Sequence, residues 1–137
     1  MKLAFYKGTR KGLQGLYSRL TRWVDSGPYS HCELVFSDGL SASASFIDGG
    51  VRFKQIEYKP EHWDIINIQG FDEDKAKQWF EQHKGEKYDL MGNLRFIFFF
   101  IKPSLTKYFC SEAIAEALGF VESWRLGPNG LSALLNK

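Results

Sequence analysis

Cysteine and methionine occur twice each and proline four times in this 137-residue chain, so three familiar routes to a fold are thin. Cys32 and Cys110 form at most one bridge, and each sits in a strand-like or strand-to-helix context; a disulfide framework is excluded and both are expected reduced. There is no Cys-x-x-Cys pair, and the neighbours His31 and Cys32 point to opposite faces of a strand, so with Cys110 they make no zinc site. Gly12 to Gly15 lacks the preceding strand and the Lys-Ser pair of a phosphate-binding loop.

No apolar run reaches the roughly 20 residues of a membrane-spanning helix. The candidate Leu94-Arg95-Phe96-Ile97-Phe98-Phe99-Phe100-Ile101 is read as a buried segment, with an interfacial anchor as the alternative, and any exposed part would mark a partner or ligand groove. Met1 to Tyr6 lacks the roughly 7–15 residue apolar core of a secretory signal and reads as a first strand, so cytoplasmic synthesis is expected. Charge is balanced too: 18 Lys and Arg face 16 Asp and Glu, too even a mixture to argue for nucleic acid.

What is present is an ordinary globular composition, 44% hydrophobic and 16% aromatic, which implies one core and one domain over residues 1–137. Apolar residues at 13, 16, 17, 20, 23 and 24 have helical spacing, and Gly27-Pro28 ends that segment. Strands are expected at Cys32 to Phe36, Leu40 to Phe46 and Val51 to Glu57, joined by Ser37-Asp38-Gly39 and Asp48-Gly49-Gly50, with a further strand at Trp63 to Ile68. Asp72 caps a helix through His83, and helices follow at Ser111 to Leu118 and Gly130 to Asn136. The fold class is α+β: an antiparallel sheet of about five strands with helices packed against it.

Cys110 lies where an aromatic strand end turns into a helix, and a helix N-terminus favours thiolate over thiol; the alternative from the residues alone is an inert buried thiol at that junction. His31 stands on an early strand as the candidate base. Alternation puts Glu33 on the same strand face as His31, either as a partner or as a surface carboxylate, and turns Cys32 toward the core. A three-residue loop at Ser37-Asp38-Gly39 sets Ser45 opposite His31 and Ser43 opposite Glu33; otherwise Ser41, Ser43 and Ser45 are a small, exposed polar face. His62 and His83 are read as surface or capping residues.

These pieces resemble, in arrangement, the permuted branch of the NlpC-type papain-like superfamily, in which the histidine precedes the cysteine. The matching segments are Tyr29-Ser30-His31-Cys32-Glu33-Leu34-Val35, Asp38-Gly39, Asp48-Gly49-Gly50-Val51-Arg52, Gly85-Glu86-Lys87-Tyr88-Asp89-Leu90-Met91-Gly92 and Phe109-Cys110-Ser111-Glu112. The resemblance implies a circularly permuted papain-like fold and thiol acyl transfer with Cys110 as nucleophile and His31 as base. The third polar residue usually lies on the strand after the histidine strand, where this chain has serines; Ser45 is the better placed of them, and Glu33 is the other candidate for orienting His31. Tyr88 is read as a wall of the site, Asp89 as a helix cap, and the backbone N–H of Cys110 or Ser111 as the oxyanion donor; Ser111 and Ser43 complete the substrate-binding set.

No metal or cofactor is implied. The substrate implied is the peptide of bacterial peptidoglycan, with an acyl ester or lipid as the alternative and a non-catalytic phage structural or binding module as the reading from another class. A cell-wall enzyme made without a signal peptide needs a holin, a virion or lysis to reach its substrate.

Overall fold

The computed structural model describes residues 1–8, 27–88 and 107–136, together with positions 12, 15, 16, 18, 19 and 22. The aromatic run at 94–101, the cap assigned to Asp89 and most of the helix expected over 13–24 lie outside the described residues. Gly15, Leu16, Ser18, Arg19 and Arg22 within that last segment are helical.

Five strands of five residues each form an antiparallel system: β1 Lys2–Tyr6, β2 His31–Val35, β3 Ser41–Ser45, β4 Gly50–Lys54 and β5 Trp63–Asn67. Two short strands, β6 Lys87–Tyr88 and β7 Lys107–Tyr108, extend the sheet to the order β5-β1-β2-β3-β4-β6-β7. Among the described residues only the β6–β7 pair is parallel. The helices are α1 Glu73–His83, α2 Cys110–Ala117 and α3 Pro128–Leu135, with a 3₁₀ turn at Ser123–Arg125. The architecture is therefore α+β. No helix among the described residues is long and apolar enough to cross a membrane.

The meander has the expected turns. Gly39 takes φ +84° and donates to the Phe36 carbonyl, while Asp38 Oδ1 accepts from Leu40 N at 3.0 Å, closing the three-residue loop Ser37-Asp38-Gly39. That loop sets Val35 against Ser41 and Leu34 against Ala42. At Gly50, φ is +153° and an added Cβ would run into the Glu86 carbonyl oxygen; a side chain here would separate β4 from β6. Strand β4 is shorter than expected. After Lys54, which pairs with the first residue of β3, the sheet offers no further partner and residues 55–57 leave it.

Alternation decides what each face does. Leu3, Phe5, Cys32, Leu34, Ala42, Ala44 and Val51 join Phe80 of α1 and Cys110, Ala113, Ile114, Ala115 and Ala117 of α2 in one core cluster. The alanines on β3 and α2 are small enough for the helix to pack directly on β2 and β3, which brings its first residue down to the sheet. Asp72 Oδ1 accepts from Lys75 N at 3.0 Å and caps α1, as its position predicts. Helix α3 begins two residues earlier than expected because Pro128 suits the first helical position. Asn129 ties it to the approach to β2: its Oδ1 accepts from Tyr29 N at 3.0 Å and its Nδ2 donates to Tyr29 O at 2.9 Å, two residues before His31.

Candidate active site

Cys110 is the first residue of α2, with Phe109 as its cap, and is 1% exposed. Glu112 Oε2 reaches back to Phe109 N at 3.5 Å, the carboxylate half of a capping box. Cys110 thus stands at the positive end of the helix dipole. Its pKa is held well below the ordinary thiol value. A hydrogen bond from the Cys32 thiol contributes most, burial opposes the shift, and the charge and hydrogen bond of His31 and the Cys32 backbone N–H add to it.

His31 opens β2. Burial disfavours its charge, but the Cys110 thiolate and the hydrogen bonds to Cys110 and Glu33 outweigh that, and its pKa is pushed up to about 9. The two shifts run in the directions that favour a thiolate–imidazolium pair. His31 Nε2 lies 2.7 Å from Glu33 Oε1. The ring stands edge-on to Trp63 with centroids 6.3 Å apart, and Trp63 in turn packs edge-on against Tyr58 at 4.9 Å.

Glu33 is 1% exposed, so the reading of it as a surface carboxylate fails. Arg52 explains how the charge is tolerated: Nη1 donates to Oε2 at 2.7 Å and Nη2 to Oε1 at 2.5 Å, a bidentate clamp. Burial alone would raise the Glu33 pKa, yet the bonds from Arg52 and His31 hold it below the usual carboxylate range. Arg52 Nε also donates to Asp48 Oδ2 at 2.8 Å, and Lys54 Nζ to Asp48 Oδ1 at 2.9 Å, leaving Asp48 with a pKa of about 2 despite partial burial. A chain of alternating charge thus runs from His31 through Glu33, Arg52 and Asp48 to Lys54.

Ser45 does not orient the histidine. Although it lines the same cleft as His31, its hydroxyl accepts from Asp48 N at 3.4 Å and belongs to the β3–β4 turn. Ser43 Oγ donates to the Cys32 carbonyl at 2.7 Å, holding β2 where its ladder with β3 has ended. Ser41 Oγ pairs with Tyr58 Oη at 2.6 Å. All three serines are buried, so the exposed polar face expected for β3 is not formed. Ser111 is fully buried and its hydroxyl has no hydrogen-bond partner among the described residues. Tyr88 sits on β6 beside Tyr108, with its ring 6.0 Å from that of Phe46, and is not among the residues that line the cleft at His31. His62 is exposed, and His83 closes α1 by donating from Nδ1 to the Trp79 carbonyl at 2.8 Å.

The cleft is lined by the polar and charged His31, Glu33, Ser45, Asp48, Arg52 and Lys54 and by the apolar Ile47, Ile56 and Trp63; Cys110 is not among its lining residues. Sequence reading gave no part to Arg52, Tyr58 or Trp63, and it placed Cys32 in the core without its bond to Cys110. A buried acid on a strand demands a cation, and Arg52 was the basic residue within the matching segment Asp48 to Arg52; that was the available signal.

No protein-family model matches the chain, and no curated protein matches it.

Proposed function

We propose that this protein is a cysteine hydrolase of the permuted papain-like type, acting by thiol acyl transfer on amide bonds. The observation that carries the reading is the line Cys110, His31, Glu33, Arg52: a thiolate at a helix N-terminus, a histidine raised to about 9 beside it, and a carboxylate clamped behind that histidine. Core cysteines have no use for such an arrangement.

In the proposed reaction the Cys110 thiolate attacks the carbonyl carbon, and the developing oxyanion is met by the backbone N–H of Cys110 or Ser111 at the start of α2. With Nε2 held by Glu33, Nδ1 of His31 is the nitrogen that gives its proton to the leaving amine. The neutral imidazole then draws a proton from water, and hydroxide attack on the thioester releases the acid and restores the ion pair. Glu33 and Arg52 take no proton; they hold the imidazole and favour its charged form.

The first-choice substrate is a peptidoglycan stem peptide. A binding module that kept the fold and lost activity drew its support from the serines at the third polar position, and Glu33 supplies the carboxylate that those serines do not. An acyl ester is the second reading, favoured by Phe46 and Ile47, 50% and 47% exposed, at the turn beside the cleft. The test is digestion of peptidoglycan fragments and of short acyl esters by wild type and Cys110→Ala, with the thioester trapped by rapid acid quench and mass spectrometry. A Cys110-linked acyl adduct from the peptide substrate supports the amide reading and one from the ester alone shifts it; turnover that survives Cys110→Ala overturns both.

A further inference from the structure

Acyl transfer assigns no bond-making step to Cys32, yet this thiol is seated against the nucleophile. Cys32 follows His31 on β2, is fully buried on the helix-bearing face, and shares the core cluster with Cys110. Its thiol and its backbone N–H are among the neighbours that lower the Cys110 pKa. Both cysteines are free. Each lies on a packed element: α2 rests on β2 and β3, and Ser43 Oγ fixes the Cys32 carbonyl at 2.7 Å. Two cysteines in one core cluster, on a helix packed against the strand that carries the other, need only local adjustment to reach the roughly 2.05 Å of a disulfide.

A thiolate touching a thiol is how an attacking cysteine and a resolving cysteine are arranged. We propose that Cys32 is a resolving cysteine, so that hydrogen peroxide or a small alkyl hydroperoxide converts Cys110 and Cys32 to a reversible intramolecular disulfide that switches the nucleophile off.

The chemistry balances in two steps. The Cys110 thiolate attacks one peroxide oxygen, the O–O bond breaks, and hydroxide leaves and takes up a proton; Cys110 is now a sulfenic acid and the peroxide is reduced to water. The Cys32 sulfur then attacks the sulfenic sulfur, the S–O bond breaks, and the Cys32 proton leaves with that oxygen as a second water. Two thiols lose two electrons in all and the peroxide gains them. An external dithiol reverses the bond by exchange. Burial suits this oxidant: Cys110 is 1% exposed, which hinders bulky reagents far more than a molecule little larger than water. The disulfide also spares Cys110 the irreversible sulfinic state.

This inference rests on Cys110 forming the thiolate proposed above, and is independent of the substrate. The experiment treats the whole chain with stoichiometric hydrogen peroxide and follows intact mass, a non-reducing peptide map and the iodoacetamide labelling rate of Cys110. The expected result is a loss of about 2 Da, a Cys32–Cys110 cross-linked peptide in the monomer, and labelling slowed at least about tenfold and restored by dithiothreitol. In Cys32→Ala the sulfenic acid persists, is trapped by dimedone, and proceeds with excess peroxide to the sulfinic acid, about 32 Da heavier, which dithiothreitol does not reverse. The wild-type mass readout stands without the variant should Cys32→Ala not fold. Sulfinic acid on wild-type Cys110 without a cross-link, or no oxidation of a Cys110 that labels quickly, would overturn the proposal. Slow labelling of Cys110 before any peroxide is added would instead overturn the hydrolase reading beneath it.

Discussion

At the scale of single residues, protonation decides whether this site is poised for chemistry. In the unfolded chain His31 takes a proton below about 6.5 and Cys110 loses one near 9; in the folded protein the order is reversed, with Cys110 ionised first and His31 charged up to about 9. Between about 6.5 and 9 both states hold one proton on this pair, so it gives stability no pH dependence there. Below about 6.5 the unfolded pair holds two protons and the folded pair one, so stability falls as the solution is acidified; Glu33, whose folded pKa is depressed, adds to the loss at lower pH. Urea unfolding across pH checks this, and a steep slope between pH 7 and 8.5 assigned to the pair by its disappearance in His31→Ala would contradict it. On the proposed hydrolase reading, turnover is expected to rise as Cys110 ionises and to fall above about 9 as His31 loses the proton for the leaving group.

Glu33 and Arg52 give a second prediction at this scale. Glu33→Ala leaves a guanidinium whose side chain is 14% exposed with Asp48 as its remaining charge partner, and is expected to cost up to about 3 kcal/mol in chemical denaturation. The double variant Glu33→Leu with Arg52→Met, which removes both charges, is expected to recover most of that stability and none of the turnover. If stability returns and turnover with it, the clamp has no part in the reaction.

At the scale of elements, turn chemistry and alternation made the five long strands and α1 readable. Gly39 and Gly49 sit where positive φ is required, and Asp72 stands before a helical period. Strands β6 and β7 escaped because two residues carry no period; they exist because Gly50 lets the Glu86 carbonyl approach and accept from Val51 N at 2.8 Å. Gly50→Ala is therefore expected to destabilise by more than about 1 kcal/mol, whereas Gly12→Ala, which meets nothing within 4 Å, carries only the cost of its positive φ. Glu33 was legible beside His31 because i and i+2 share a strand face. Its bond to Arg52 was not, because that contact crosses from β2 over β3 to β4 and depends on long side chains instead of on period. The choice between Ser45 and Glu33 turned on the same point: register places Ser45 near His31, but the β3–β4 turn takes its hydroxyl.

At the scale of the whole molecule, the sheet separates two tasks. One face packs α1 and α2 and delivers Cys110 from the core side; the other carries Glu33 and Arg52 under the cover of Tyr58 and Trp63. His31, at the start of β2 where the ladder with β3 is absent, joins the two. Access to a sulfur that is 1% exposed then requires local opening, so small iodoacetamide is expected to label Cys110 at least about tenfold faster than a bulky maleimide, relative to their rates with a free thiol. Asn129 holds this junction from α3, and Asn129→Ala is expected to lower Cys110 reactivity while costing about 1 kcal/mol of stability.

The central claim is that Cys110 is a thiolate because His31 and its neighbours make it one. The most direct measurement is the pH dependence of iodoacetamide labelling of each cysteine, by mass spectrometry, in wild type and His31→Ala. Fast labelling of Cys110 that is already at its plateau near neutral pH, slow labelling of Cys32, and a midpoint for Cys110 that moves toward the ordinary thiol value in His31→Ala are the results this account predicts. Equal, slow labelling of both cysteines, unchanged by His31→Ala, would contradict it.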